Sequence, residues 1–307
     1  MEDCIERKIA EKADEVEKII REMLPDDKGY AETVYDAMNY SVMAGGKRLR
    51  PMLMLEFFNL FGGSDDRALK HFMTAMEMIH SYSLVHDDLP ALDNDDMRRG
   101  RESTHKRYGE AMGILAGDAL LNGAYEQIST ALSEIDDPDL LRRAVVAFDK
   151  IAVLAGVRGM IGGQVVDVEN TGKSLDSDML MYVYKGKTGA LLAASMSAGA
   201  SLGGADNETI KLVEKIGYDI GMAFQIRDDI LDVIGDEEKL GKPVHSDEEQ
   251  DKSTYVAIHG VDESEKAVLD YTDRAVRSLD SLSASQSEAG TKEFLKGLFI
   301  YMAKRDH

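Results

Sequence analysis

The 307-residue sequence holds one cysteine, Cys4. It can close no internal disulfide, and no CxxC pair is present to grip a metal. That suits a reducing compartment. Basic residues are scarce: 36 Lys and Arg stand against 57 Asp and Glu, a net charge of −21. Such a balance excludes a nucleic-acid partner, because phosphate backbones need basic surface. It also speaks against a basic helix lying on a membrane. No run is long and apolar enough to span a bilayer. The stretch 189–205 (GALLAASMSAGASLGGA) reads as a tightly packed core helix instead. The opening MEDCIERKIAEKADEVEKII mixes charge signs around no apolar signal core, so the expected location is the cytoplasm. There is no nucleophile elbow, HExxH, Walker loop or dinucleotide fingerprint, and the seven histidines show no metal-ligand spacing.

Prolines are also few. Four of the five, Pro25, Pro51, Pro138 and Pro243, fall at segment edges, and only Pro90 interrupts a strong pattern. What fills the chain is helical periodicity. Ile5, Ile9, Val16, Ile19, Ile20 and Met23 recur at helical spacing. Similar patterns run over 28–43, 65–88, 108–133, 138–158, 175–203, 206–234, 262–283 and 289–305. Period-two strand runs are scarce, and no linker or repeat appears. The expectation is one all-α domain over 1–307, a helical bundle around a deep central cavity.

Two acidic clusters sit in apolar helices: HDDLPALDNDD (86–96) and FQIRDDILD (224–232). Asp228 and Asp232 are four apart and share a helix face. Adjacent carboxylates repel unless a cation joins them. Mg²⁺ takes oxygen ligands, using few protein carboxylates together with substrate phosphates. Asp87 and Asp93 would diverge by about 120° on a continuous helix. Pro90, which clashes with the carbonyl of residue 86, breaks that helix and can return Asp93 towards Asp87. A lone DDxxD is ordinarily a solvated patch or a cap; two such clusters favour a metal site.

Basic groups neighbour both clusters. GGKRLRP (45–51) places Lys47 and Arg50 near the start of the next helix, whose N-terminus also favours anions. RRGR (98–101) follows the first cluster, KTG (187–189) interrupts a helix, and Lys242 and Lys252 lie in the charged stretch 235–253. A lone Lys is ordinarily solvated. Together these groups suit two diphosphates, one held through metal and one directly. His80 and His86 read as lining or capping the first cluster.

The motifs GGKRLRP, IHSYSLVHDDLPALDNDDMRRG, GILAGDALL, GGQVVD, KTG, FQIRDDILD, LGKP and DKSTY occur in that order. The chain thereby resembles the trans-prenyl diphosphate synthases, most closely the bacterial farnesyl diphosphate synthases, over about residues 30–305. The resemblance implies an all-α fold with a deep pocket, a homodimer, and Mg²⁺, three ions with substrate bound. It implies metal ligation by Asp87 and Asp93 with Asp88 in support, and by Asp228 with Asp229 and Asp232 alongside. It places isopentenyl diphosphate on Lys47, Arg50, His80 and Arg99. The allylic diphosphate falls to Arg98, Lys187, Thr188, Gln225, Lys242 and Lys252. Gln164 and Asp167 become pocket residues near the reacting carbons. One departure is the acidic run 246–251 before DKSTY.

The implied reaction ionises the allylic C–O bond, adds the isopentenyl double bond to the cation, and loses a proton to the departing diphosphate. Asp87, Asp93, Asp228, Arg98, Lys187 and Lys242 are its catalytic set. A terpene cyclase would not need GGKRLRP or Arg99, and a non-catalytic partner subunit would lack ligands present here. Geranylgeranyl and longer-chain synthases stay open. For product length, Tyr82 lies about 7.5 Å along the helix from Asp87, and the resemblance implies that an aromatic there gives a fifteen-carbon product. Ser83 falls closer to the stripe through Asp87. Core packing of Tyr82 is the alternative, with the stop then at Met78 or the helix carrying Leu115 and Ala116.

Overall fold

The computed structural model describes residues 2–235, 253–283 and 289–305. Among them the chain is helical, with one two-stranded hairpin, as the periodicity requires. It divides into two compact units: Arg7–Leu55 with Ser64–Val145, and Met1–Glu6 with Glu56–Gly63 and Val146–His307.

The unit that includes Ser64–Val145 is built on helices α1 (Glu2–Met23), α2 (Glu32–Val42), the start of α3 (Leu49–Leu60) and α4 (Arg67–Asp87). Strands β1 (Met97–Arg98) and β2 (Arg101–Glu102), then α5 (Thr104–Tyr108) and α6 (Glu110–Ser133), complete it. α1 is amphipathic and buries Ile9, Val16 and Ile20. α4 is different: it buries thirteen of its 21 residues, as a helix apolar nearly all round must. Its main partner is α6. The two approach closely because α6 offers glycine where α4 has bulk. A Cβ on Gly117 would stand 2.0 Å from His86 Nε2, and one on Gly123 2.7 Å from Met78 Cε. This accounts for the small residues in GILAGDALL.

The other unit takes up the end of α7 (Pro138–Ala155), then α8 (Met160–Glu169), α9 (Ser177–Tyr184), a π-helical turn (Lys185–Gly189) and α10 (Ala190–Gly203). α11 (Asn207–Ile234), α12 (Tyr255–His259), α13 (Val261–Ser281) and α14 (Ala289–Lys304) follow. All fourteen residues of α10 are buried, so the small-residue stretch is a core helix and not a membrane span. Indeed no helix among the described residues is long and apolar enough to cross a membrane. α10 packs on α11, which packs in turn on α13. Asp206 caps α11, its carboxylate accepting the Thr209 N–H at 2.8 Å.

Several elements lie outside the stretches read as helical, among them α3, α5 and α12, and two departures bear on Lys187 and its neighbours. KTG does not interrupt its helix: α9, the π turn and α10 run on without a gap, the π turn adding one residue per turn locally. α8 lies outside the stretches read as helical, because Gly162 and Gly163 blunt its apolar signal. Those glycines answer a tertiary demand. A Cβ on Gly163 would lie 2.4 Å from Lys187 N, and one on Gly186 2.8 Å from Gly163 Cα.

Candidate active site

The first aspartate motif begins where α4 ends. Asp88 caps α4, and Pro90 prevents any further turn. The chain then doubles back. Asp93 N–H donates to Asp87 O at 2.9 Å, and Asn94 N–H to Leu89 O at 3.1 Å. Asn94 takes the left-handed conformation (φ 54°) that asparagine tolerates. The break at Pro90 thus brings Asp93 back to Asp87, although they are six residues apart. Asp87 is half-buried and Asp93 exposed. Asp88 points elsewhere: it is 2% exposed and takes Arg98 Nε at 2.9 Å, with Asp95 3.5 Å from the same guanidinium. Burial pushes the Asp88 carboxyl up, and Arg98 pulls it back.

Arg98 lies on β1, and the Arg99-Gly100 turn joins β1 to β2. Both turn residues have positive φ, 52° and 74°, the type I′ geometry of a two-residue hairpin. A glycine suits that; an arginine tolerates it at some cost. Arg99 is held by donating to Gly45 O, and its guanidinium would lie 2.8 Å from a Cβ on Gly46. GGKRLRP and RRGR therefore meet. Arg50 Nη1 approaches His80 Nε2 at 3.3 Å. Burial brings Arg50 down to about 10, with Glu77 opposing and Arg99 adding to the shift. Burial, then Arg50, Arg99, Arg48 and Arg98, hold His80 well below its ordinary value, so it is neutral at pH 7. Arg50 Nε is buried with no hydrogen-bond partner among the described residues. A small solvent-open pocket adjoins this cluster, lined in part by Tyr40, Ser81, Arg98 and Arg99.

Arg48 is the residue this reading of the sequence missed. It is 3% exposed with φ 49°. Its guanidinium donates to Glu17, Glu77 and Val42 O, each at 2.6 Å. That fixes the loop carrying Lys47 and the start of α3, which carries Arg50. The available signal was Glu77, a lone carboxylate inside apolar AMEMIH.

The second motif lies on α11. Asp228 pairs with Arg305, whose guanidinium also stacks 3.9 Å from the Phe224 ring centroid. Arg227 donates to Arg305 O at 2.9 and 2.8 Å. Asp229 and Asp232 are buried, 2% and 3% exposed, whereas the Asp228 side chain is 33% exposed. The π turn presents Lys187 and Thr188: Lys187 Nζ meets Asp167 Oδ2 at 2.8 Å, and Thr188 donates to Gln225 Oε1 at 2.6 Å. Lys187, Thr188, Gln225 and Asp167 are thus one group. Gln164 lies on the same helix as Asp167, three residues away. Lys242, Lys252 and the acidic run 246–251 lie outside the described residues.

Asp87 and Asp93 in one unit, and Asp228 in the other, each offer hard oxygen donors with solvent access, the donor chemistry that Mg²⁺ takes. Among the described residues no three His, Cys, Asp or Glu side chains converge as a protein-only metal cage. Mg²⁺ commonly completes its octahedron with waters and phosphate oxygens.

Residues 31–286 match the family model described as Polyprenyl synthetase. Farnesyl diphosphate synthase of Geobacillus stearothermophilus is 45% identical over 246 residues, 79% of this chain and 80% of that protein. Geranylgeranyl diphosphate synthase of Cyanophora paradoxa is 42% identical over 257 residues, 83% of each. Among solved structures, geranyltransferase from Helicobacter pylori complexed with magnesium and isoprenyl diphosphate superposes with a TM-score of 0.84 at 28% identity, covering 97% of each chain. An apo FPP/GFPP synthase from Zymomonas mobilis gives 0.83 at 28% identity, over 99% of this chain and all of that one. The break at Pro90, the clustered arginines and the π turn are therefore features of a chain that belongs to the polyprenyl synthetase family.

Proposed function

We propose that the chain is a trans-prenyltransferase that joins isopentenyl diphosphate head-to-tail to dimethylallyl or geranyl diphosphate, with farnesyl diphosphate as main product. One observation carries the reading: exposed Arg99 stands beside half-buried Arg50 and His80 in one basic cluster, with Arg50 Nε buried and lacking a partner among the described residues, in a chain of net charge −21. A buried cation with an unmet donor is costly unless an anion joins it. A diphosphate supplies both charge and acceptors. Relatives named farnesyl diphosphate synthase and dimethylallyltranstransferase support the reaction class.

In this reading Lys47, Arg50, His80 and Arg99 bind and orient isopentenyl diphosphate. Neutral His80 donates or accepts without adding charge. Arg98, Lys187, Thr188 and Gln225 bind the allylic diphosphate, with Lys242 and Lys252. Asp87, Asp93 and Asp228 are the metal ligands, with Asp88, Asp229 and Asp232 behind them. When bound, Mg²⁺, three ions in our reading, supplies Lewis-acid neutralisation of the leaving diphosphate. Arg98 and Lys187 add fixed positive charge there. The allylic C–O bond breaks and the isopentenyl double bond attacks the cation. The proton then lost goes to the released diphosphate. Gln164 and Asp167 stand near the reacting carbons, and apolar walls keep water from the cation.

The whole chain acts as one domain in this reading, in a homodimer, within a reducing cytoplasm. Exposed Ile114 and Leu115 on α6 support the dimer. The test is product analysis with labelled isopentenyl diphosphate and each allylic starter. Activity should vanish with a chelator and return with Mg²⁺. Asp87→Ala and Asp228→Ala should each lower turnover by at least about 10²–10³-fold, the scale of lost transition-state electrostatics. Near-normal turnover in either would remove that carboxylate from the metal set.

A further inference from the structure

Adjacent aspartates in the second motif live in different surroundings. Neighbours on a helix point about 100° apart, and Asp228 reaches solvent while Asp229 is 2% exposed. Asp229 is already committed. Tyr184, the last residue of α9, is 6% exposed and donates its hydroxyl to Asp229 Oδ2. The Tyr255 N–H, at the start of α12, donates to the same oxygen at 2.8 Å and lies 3.1 Å from the Tyr184 hydroxyl. Gln225 Nε2 approaches Oδ1 at 3.5 Å, and Gln225 Oε1 takes the Thr188 hydroxyl at 2.6 Å.

Three pieces of chain thus converge on one carboxylate: the turn leading into the π turn, the π turn itself through Thr188 and Gln225, and the start of α12. Just before α12, Ser253 is fixed as well, its hydroxyl accepting the Leu175 N–H at 2.9 Å. Hydrogen bonds to a buried carboxylate are charge-assisted and strong. A cation on Asp229 Oδ2 would compete with the Tyr184 hydroxyl and the Tyr255 amide for that oxygen, loosening both segments.

We infer that Asp229 is the hub of a clamp and not a metal ligand, and that Tyr184 is a positioning residue for the allylic half of the reaction. The clamp sets the π turn that presents Lys187 and Thr188, and it anchors the segment that directly follows Lys252. Its catalytic consequence rests on the function proposed above. Its geometry does not.

The full-length protein tests it by three measurements. In Tyr184→Phe, hydrogen exchange of the Tyr255 amide should quicken about tenfold, the scale of one lost hydrogen bond to a charged group. The KM for the allylic diphosphate should rise several-fold, while the KM for isopentenyl diphosphate and the Mg²⁺ dependence stay within about twofold. In calorimetry with Mg²⁺ and inorganic diphosphate, Asp228→Asn should bind at least about tenfold more weakly than the parent, whereas Asp229→Asn should lose no more than Tyr184→Phe loses. Unchanged Tyr255 exchange in Tyr184→Phe overturns the clamp. Loss of Mg²⁺–diphosphate binding in Asp229→Asn equal to that in Asp228→Asn overturns the assignment of Asp229. If the parent transfers no prenyl group, the proposed function falls, and exchange and calorimetry still decide the clamp.

Discussion

Three basic side chains and a histidine occupy a space that, on charge alone, they should avoid. Arg48 stays because Glu17 and Glu77 answer it. Among the described residues Arg50 and Arg99 have no such ion pair, and the strain of φ 52° at Arg99 adds to their cost. His80 gives way by remaining neutral. This has a consequence for stability. The unfolded chain takes up a proton at His80 near pH 6.5, and the folded chain, whose value is depressed, does not. Stability should therefore fall as the pH drops through about 6.5 and below. His80→Gln removes that contribution. Urea unfolding should show a slope shallower by up to about 1.4 kcal/mol per pH unit below that point. Inorganic diphosphate, by neutralising the arginines, should also flatten the parent's slope. An identical slope in parent and variant would show that His80 titrates normally. The sequence exposed Arg50, His80 and Arg99 as a set only through motif order. Nothing in their spacing, 50, 80 and 99, told that they come near one another, because the loop geometry that joins them depends on Gly46 and on the hairpin turn.

α4 illustrates what an element can and cannot announce. Its apolar run and its stop at Pro90 were legible, and so was the return of Asp93, because proline's effect on a helix is local. The hairpin was not, since two-residue strands have no period to detect. Neither was α8, whose glycines serve the neighbouring π turn. The same limit applies to Tyr82. On α4 it shares a stripe with His86, their rings edge-on at 5.8 Å, while Ser83 bonds back to His80 O at 2.8 Å. Burial pushes the Tyr82 hydroxyl up to about 12, and that hydroxyl is buried without a partner among the described residues. A phenol in ordinary core packing usually finds one; one that closes a hydrocarbon channel has none to find. Tyr82→Ala should thus lengthen the product to twenty carbons or more while leaving ionisation intact, as read by chromatography of the dephosphorylated prenols. An unchanged distribution would return Tyr82 to core packing and pass the stop to Met78.

At the scale of the molecule, composition sorted the broad classes and little else. It argued against a nucleic-acid partner and a membrane span, but an acidic, helical, cysteine-poor chain could do many things. Association is where sequence and structure give different help. Leu115 could be read from the sequence as a stop for the growing chain or simply as a helix residue. Its 52% exposure, beside Ile114 at 42%, sets it on the surface of its unit. Scattered exposed apolar residues are ordinary, yet two adjacent ones at the start of a helix otherwise clothed in Asp118, Asn122 and Glu126 suit a face covered by a second copy. A stable interface needs about 800 Å² per partner, so the two residues would form part of its apolar centre. Leu115→Glu buries a charge there, which is costly unless it is paired. Light scattering should give twice the single-chain mass for the parent and a shift towards the single chain for Leu115→Glu. The helical content of the variant should stay unchanged, because Leu115 is exposed and not one of the buried residues of α6. A variant that remains dimeric but makes longer products would instead assign Leu115 to the floor of the pocket.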